Sequence, residues 1–160
     1  MEQNLRRMAD EIIKQALAAV QPDAAVRSAL ASAELHGRIH LVAIGKAAWQ
    51  MAHAAYNQLG SRILDGIVIT KYDHAHGPIG NLTILEAGHP ISDRASFAAT
   101  RRALTLTGNL TADDTVLFLV SGGGSALFEL PLIDAAEQQD ITNRLLACGA
   151  DIVEINTIRK

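Results

Sequence analysis

The chain has 160 residues, of which 49% are hydrophobic and 19% are charged, and its net charge is −3 at pH 7. This length and composition predict one folded domain with a sizeable core and exclude a disordered chain. The pI near 6.0 and the 4% aromatic content exclude nucleic acid as a principal partner, because there is no basic surface and there are few rings on which bases could stack.

The amino-terminal stretch and the single cysteine indicate the cellular compartment of the protein. Residues 1–20 carry charged side chains among the apolar ones, unlike a secretion signal, and no window approaches the length of a membrane span. Cys148 is the only cysteine, so an internal disulfide is excluded. We therefore expect a cytoplasmic protein without membrane association, in which Cys148 packs as a small apolar side chain.

The first part of the chain predicts two helices, then a strand and a third helix. Apolar residues within Leu5–Leu17 recur at intervals of three and four, which is typical of an amphipathic helix that ends near Pro22. A second helix is predicted over Asp23–Leu35. Ile39–Ile44 is a short apolar run typical of a strand, and helical spacing resumes over Lys46–Leu59.

The rest of the chain continues the alternation of strands and helices. The predicted elements are strands Gly66–Thr70, Leu82–Glu86 and Thr115–Val120, a histidine-rich loop Lys71–Gly80, and helices Arg94–Leu106, which Asp93 can cap, and Ile133–Leu146. Because the strands are apolar throughout, the sequence predicts an α/β fold: a Rossmann-like, doubly wound, mainly parallel sheet with helices on both faces.

The candidate functional residues follow the predicted strands. In sheets of this kind, ligands bind beyond the carboxyl ends of the strands. Gly45 and Lys46, the histidine-rich loop, Gly88–Pro90 and the segment Ser121–Ser125, which we call the glycine loop, all fall at strand ends. We expect these four segments to share one rim of the sheet.

The glycine loop is typical of an anion site. It consists of Ser121, Gly122, Gly123, Gly124 and Ser125, so that three bare amides and two hydroxyls are available as donors. Glycines after a strand also make tight turns or close packing contacts, and this alternative stays open. The segment lacks the lysine of a Walker A motif and the last glycine of an esterase elbow.

Lys46 is the candidate cation of the same rim. A lysine at the start of a helix opposes the helix dipole unless an anion is bound there, which favours a functional role over a merely solvated charge. The histidines favour no metal: His74 and His76 lack partners at zinc spacing, so no protein-built metal site is expected. His40 is expected at the surface or at a sheet edge.

Four motifs resemble a known family. They are Ala43–Ala48, Glu86–Pro90 with Asp93 beyond, Val120–Leu127 with Pro131, and Ile155–Lys160. In this order they resemble the amino-terminal domain of the MOFRL-type glycerate 2-kinases. Because they spread over nearly the whole chain, the resemblance is much more specific than a glycine loop alone.

The resemblance implies a reaction and a set of site residues. It implies ATP- and Mg²⁺-dependent phosphorylation of D-glycerate to 2-phosphoglycerate by a two-domain enzyme whose site lies between its domains. Lys46 corresponds to the lysine proposed to act in the family's active site, and the glycine loop, with Gly45 and His89 beside it, would bind substrate or phosphate. Some relatives have been labelled hydroxypyruvate reductases, but this sequence has no G-x-G-x-x-G fingerprint for a dinucleotide.

The chain departs from the family in two respects. Ser92 stands where relatives often carry a second proline, which we interpret as a minor loop change. The motif that begins at Asn156 continues past Lys160 in the family, so we expect residues 1–160 to be a fragment that lacks the second domain and is inactive alone. Its partners would be glycerate, ATP and that domain, and a homo-oligomer stays open.

Two other functions are compatible with the sequence. One is a non-catalytic phosphosugar-binding module resembling sugar isomerase domains, which also place serine-rich loops after parallel strands. The other is a structural subunit that buries apolar surface against a partner.

Overall fold

The computed structural model describes residues 2–159 and confirms the predicted α/β fold class. Met1 lies outside the described residues, as does Lys160, the last residue of the terminal motif. The elements in chain order are α1 Glu2–Ala19, α2 Pro22–Ser32, β1 Arg38–Ile44, α3 Ala48–Leu59, a 3-10 turn Gly60–Arg62, β2 Ile63–Lys71, β3 Thr83–Ala87, α4 Arg94–Thr107, β4 Asp114–Val120, α5 Gly124–Leu127, α6 Ala135–Ala147 and α7 Ile152–Arg159.

The sheet has four parallel strands in the order β3-β2-β1-β4. In the register of the central strand, Val42 lies between Ile67 of β2 and Phe118 of β4. The chain moves outward from β1 to β2 and β3, and then returns to place β4 on the other side of β1. This reversal makes the carboxyl ends of β1 and β4 the topological switch point, where sheets of this kind bind ligands.

Helices cover both faces of the sheet, which makes the fold doubly wound. On one face, α2 and α3 bury a cluster that includes Leu41 and Val68. On the other face, α4 and α5 contribute Ala99 and Leu127 to a cluster that includes Val42. Each strand thus carries apolar side chains on alternate sides, as expected for a parallel sheet buried between two helical layers.

One face of β4 is left largely exposed within this sheet. Val116, Phe118 and Val120 follow one face of β4 and are 38%, 48% and 54% exposed, although the Phe118 ring contacts the ring of Phe128 at 5.9 Å between centroids. Helix α4 packs mainly on β3 and β2, the strands on the other side of β1 from β4. The apolar sequence of β4 predicts that its side chains are buried. It does not indicate which helix or strand covers them.

Other differences from the predicted elements have local causes. Helix α2 ends at Ser32 because Ala33 adopts an extended conformation. The prediction for His40 is wrong: it is 7% exposed, and its Nδ1 lies 2.5 Å from Asp65 Oδ1. Cys148 is exposed at the end of α6, so the prediction that it packs as a small apolar side chain is wrong as well.

The apolar residues of α1 also lie at the surface. The helix forms as predicted, but Leu5, Ile12 and Leu17 are all more than half exposed. Within residues 2–159, no helix has both the length and the apolar character needed to cross a membrane.

Candidate functional site

Two loops meet at the carboxyl ends of β1 and β4. The Ser121 N–H donates to the Ile44 carbonyl at 2.9 Å, and the Lys46 N–H donates to the Gly122 carbonyl at the same distance. The Gly45 N–H donates to the Ile69 carbonyl of β2 at 3.1 Å. These backbone bonds fix the segment Gly45–Ala47 against the glycine loop.

Gly45 is required by this close approach. Its φ is +114°, a conformation that other residues rarely adopt, and a Cβ there would overlap the Ser121 side chain and backbone. The Ser121 hydroxyl accepts the Ala47 N–H at 3.0 Å and is 3.3 Å from the Ile44 carbonyl, to which it can donate. Ser121 therefore joins the two loops, and its hydroxyl is not free to bind a ligand as the sequence suggested.

Lys46 and His89 both lie over the glycine loop. A Cβ built on Gly123, where φ is +89°, would be 2.8 Å from His89 Nε2 and 3.3 Å from Lys46 Cγ. A Cβ on Gly122 would be 3.9 Å from Lys46 Cε. The structure thus brings together Gly45, Lys46, His89 and the glycine loop, which are far apart in the sequence.

The amides of the glycine loop are available as donors. Among residues 2–159, the N–H groups of Gly122, Gly123, Gly124 and Ser125 have no hydrogen-bond acceptor. Gly124 and Ser125 begin α5, and the first amides of a helix lack intrahelical partners. A cluster of free amides beside a lysine is a suitable environment for phosphate or carboxylate oxygens.

The helix that follows Lys46 begins later than predicted. Helix α3 starts at Ala48 with Ala47 as its N-cap, because the backbone of Lys46 is bonded to the glycine loop. Lys46 therefore precedes the helix by two residues, and its side chain is exposed. The dipole argument for this lysine is correspondingly weaker, whereas its contact with Gly123 gives direct support for a shared site.

The histidine-rich loop contacts the backbone of Lys46. His74 Nδ1 lies 3.0 Å from the Lys46 carbonyl, and the buried Thr70 hydroxyl lies 3.4 Å from the same oxygen. Glu86 Oε1 accepts the N–H groups of His74 and Ala75 and so fixes the loop. The sequence did not indicate these roles: Thr70 was expected only as a strand residue, and Glu86 only as a strand residue within the family motif Glu86–Pro90. No group of three potential metal-binding side chains occurs among the residues that the structure describes.

The electrostatic environment of the site is positive. Burial lowers the pKa of His89, and the charges of Lys46 and Lys71 and the nearby His74 lower it further. Neutral imidazole is therefore favoured, which leaves one ring nitrogen as a donor and one as an acceptor. A bound anion would reduce the repulsion between these groups.

Asp93 is a structural residue of this rim. As predicted, it caps α4, in a capping box with Ser96. Burial works to raise the pKa of Asp93, but hydrogen bonds from the Ser96 N–H, the Tyr72 hydroxyl and the Gly88 N–H outweigh it, so the pKa is lowered. Both carboxylate oxygens are engaged, Oδ1 by Ser96 and Oδ2 by Tyr72.

Comparison with known proteins identifies the family. Residues 8–160 match DUF4147, described as a domain of unknown function. This chain belongs to the DUF4147 family. It is 52% identical to a D-glycerate 2-kinase of Thermotoga maritima over 160 residues, which are 99% of this chain and 38% of the relative. It is 41% identical to a glycerate 2-kinase of Pyrococcus horikoshii over 129 residues, which are 79% and 29% of the two chains.

A further relative and two crystal structures are also similar to this DUF4147 chain. A protein of Agrobacterium vitis named as a putative hydroxypyruvate reductase is 38% identical over 157 residues, covering 97% of this chain and 35% of the relative. The crystal structure of a Thermotoga maritima glycerate kinase matches with a TM-score of 0.90 at 52% identity, covering 99% of this chain and 38% of that one. A Pyrococcus horikoshii crystal structure matches with a TM-score of 0.83 at 35% identity, covering 98% and 38%.

These matches confirm the resemblance drawn from the four motifs. The chain spans 38% of the length of the Thermotoga relative and corresponds to the amino-terminal part of that longer protein. The identity of 52% over nearly the whole chain goes well beyond a shared fold.

Proposed function

We propose that this chain is the amino-terminal part of a glycerate 2-kinase, which transfers the γ-phosphoryl group of ATP to D-glycerate and forms 2-phosphoglycerate. The observation that carries the proposal is the meeting of Lys46 with the glycine loop, through the 2.9 Å bond from the Lys46 N–H to the Gly122 carbonyl. The names of the Thermotoga and Pyrococcus relatives support the same reaction. A cytoplasmic location is part of the proposal.

The reaction needs charge stabilisation more than covalent help. The C2 hydroxyl oxygen of glycerate forms a bond to the γ-phosphorus while the bond from that phosphorus to the bridging oxygen breaks. ADP departs with the electron pair, and the hydroxyl proton passes to a base. Negative charge on the transferred group and on the bridging oxygen is what a positioned cation and positioned amides stabilise.

The residues of the site divide these roles. Lys46 would neutralise phosphate oxygens, and the free amides of Gly122, Gly123 and Gly124 would bind an anionic group of ATP or of glycerate. His89 would orient that group through its ring nitrogen. Ser121 and Gly45 would hold the two loops at the required separation.

ATP and Mg²⁺ differ in how well the described residues fit them. The free amides and Lys46 fit phosphate oxygens. For Mg²⁺, no group of three potential metal-binding side chains occurs among residues 2–159; Asp93 has both carboxylate oxygens engaged by Ser96 and Tyr72, and Glu86 Oε1 accepts the His74 and Ala75 N–H groups. We therefore assign no step of the reaction to a residue-bound magnesium ion.

We expect the isolated chain to show little or no turnover. Millimolar affinity already requires about 4 kcal/mol, and α5 has only four residues, so its terminus contributes little to anion binding. The remaining binding energy would come from the second domain of the two-domain enzyme.

The test is a fusion of this chain to the part of the Thermotoga relative that lies beyond the matched region. Formation of ADP that depends on D-glycerate is measured in a coupled assay, and the product is identified by phosphorus NMR. We expect Lys46→Ala to lower turnover at least about 100-fold, as for loss of one group that stabilises transition-state charge. Lys14→Ala, which removes a lysine from the exposed face of α1, serves as the matched control.

Two results would contradict the proposal. One is near-normal turnover of the Lys46→Ala fusion. The other is tight binding of sugar phosphates by the unmodified fusion in calorimetry, without turnover of ATP and glycerate, which favours the phosphosugar-binding alternative.

A further inference from the structure

Three segments far apart in the sequence meet at a half-buried ion pair. Arg159 of α7 contacts Glu129, which follows α5, through both Nε and a terminal guanidinium nitrogen, the Nε to Oε1 distance being 3.2 Å. The Ser92 hydroxyl donates to Glu129 Oε2. We call Arg159, Glu129 and Ser92 the Arg159 network.

The Arg159 network is shielded from water. The Arg159 and Glu129 side chains are 13% and 16% exposed, and Ser92 is 2% exposed. The Gln139 amide of α6 donates to the Ser92 carbonyl at 2.8 Å, which ties a fourth element to the same point. A two-point contact between guanidinium and carboxylate fixes orientation as well as distance. Ser92 is therefore more than the minor loop change expected from the sequence.

The network joins two segments that lead away from the candidate site, one after His89 and one after the glycine loop. Ser92 lies three residues after His89, and Glu129 follows the four-residue helix α5 that the glycine loop enters. Near these ends, His89 Nε2 lies close to the glycine loop: a Cβ on Gly123 would be 2.8 Å from it. The Arg159 network thus joins the segment that follows His89 to the segment that follows the glycine loop and α5.

We propose that Arg159 and Glu129 are positioning residues, which set the separation between His89 and the glycine loop and thereby the geometry in which an anion is bound. The identity of that anion rests on the proposed function, but the positioning role does not. The proposal also gives the terminal motif Ile155–Arg159 a role in the site, although none of its residues contacts the glycine loop among the described contacts.

The test uses the chain labelled for NMR, with inorganic phosphate as the probe. The ring signals of His89 report the position of the imidazole, and the amide signals of Gly122–Ser125 report phosphate binding. Arg159→Lys keeps the charge but loses the two-point contact. We expect it to shift the His89 ring signals and to weaken phosphate binding about tenfold, which corresponds to the loss of about one hydrogen bond to the anion.

The matched control is Arg144→Lys. Arg144 pairs with Asp140 at 2.7 Å on the exposed surface of α6, so this substitution makes the same chemical change in a pair that touches neither loop. We expect wild-type His89 signals and wild-type phosphate affinity. Urea denaturation of every variant separates loss of stability from loss of position.

The proposal is overturned if Arg159→Lys lowers stability while the His89 signals and the phosphate affinity stay at their wild-type values. Should Arg159→Lys fail to fold, Ser92→Ala removes one hydroxyl from the network, and unchanged His89 signals in that variant overturn the proposal equally. If phosphate binding by the wild-type chain is too weak to measure, as the small contribution of α5 allows, the His89 signals alone decide the positioning role, and their failure to move in Arg159→Lys overturns it.

Discussion

Replacing Gly123 by alanine tests the close approach on which the candidate site depends. The backbone cost comes from φ = +89°, and a non-glycine residue in this region costs about 1–2 kcal/mol. The added Cβ would lie 2.8 Å from His89 Nε2 and 2.9 Å from His89 Cδ2, so the imidazole must turn away, and leaving its rotamer costs about 0.5–1.5 kcal/mol more. We therefore expect Gly123→Ala to lower the free energy of unfolding by about 1.5–3.5 kcal/mol.

Gly149→Ala separates the two contributions. Gly149 has a φ of +76°, but a Cβ there would meet nothing within 4 Å, so only the backbone cost of about 1–2 kcal/mol applies. Gly122→Ala should change stability by less than about 0.5 kcal/mol, because its nearest contact would be Lys46 Cε at 3.9 Å.

Urea unfolding followed by circular dichroism gives the free energies, and NMR gives the His89 ring signals. The reasoning is refuted if Gly123→Ala and Gly149→Ala destabilise the chain equally and the His89 signals do not move in the Gly123 variant. That result would mean that the imidazole and the glycine loop are not in contact in solution.

Three further predictions concern stability and pH. Gly45→Ala should destabilise the chain more than Gly123→Ala in the same urea assay, because its Cβ would overlap the Ser121 backbone, which cannot turn away as a side chain can. The pKa of His89 is lowered in the folded chain, so the unfolded chain binds a proton on this histidine more readily. The free energy of unfolding should therefore fall as pH drops below about 6.5. The NMR titration midpoint of His89 should rise when phosphate is added. A midpoint that phosphate leaves unchanged would contradict anion binding beside His89. The Arg38 guanidinium and the Thr111 N–H hold the pKa of Asp114 well below its usual range; this stabilisation is present above about pH 4 and is lost on further acidification, so Asp114→Asn should lower stability at pH 7 and reduce the acid dependence seen in thermal melts.

The fold was predictable because its signals are local. The apolar runs at β1 and β4 and the helical spacing between them are properties of short windows, and the glycine after β1 marks a strand end in any context. The prediction that Gly45, Lys46 and Ser121 meet at one rim rests on a general property of parallel sheets, whose strands end at the same edge. No feature of the sequence indicates contact between these particular residues. For this reason the sequence predicted which segments meet, but not which hydrogen bonds their side chains make.

The parts that were missed depend on contacts between distant residues. Nothing near Ser121 in the sequence indicates that its hydroxyl bonds to Ala47, and nothing near Ser92 indicates a buried contact with Glu129. His40 was expected at the surface because histidine is polar, whereas its place on β1 beside Asp65 buries it. The pairing partner of a polar side chain is set by the sheet order and register, which local patterns do not contain.

The open side of β4 has a consequence for the glycine loop that this strand carries. Backbone groups along an outer strand can pair with another strand, and the apolar side chains at 116, 118 and 120 favour such pairing. A strand added there would stiffen β4 and restrict the amides that follow it. Ligand affinity at those amides and the stability of the added pairing would then be thermodynamically linked, each strengthening the other by the same factor.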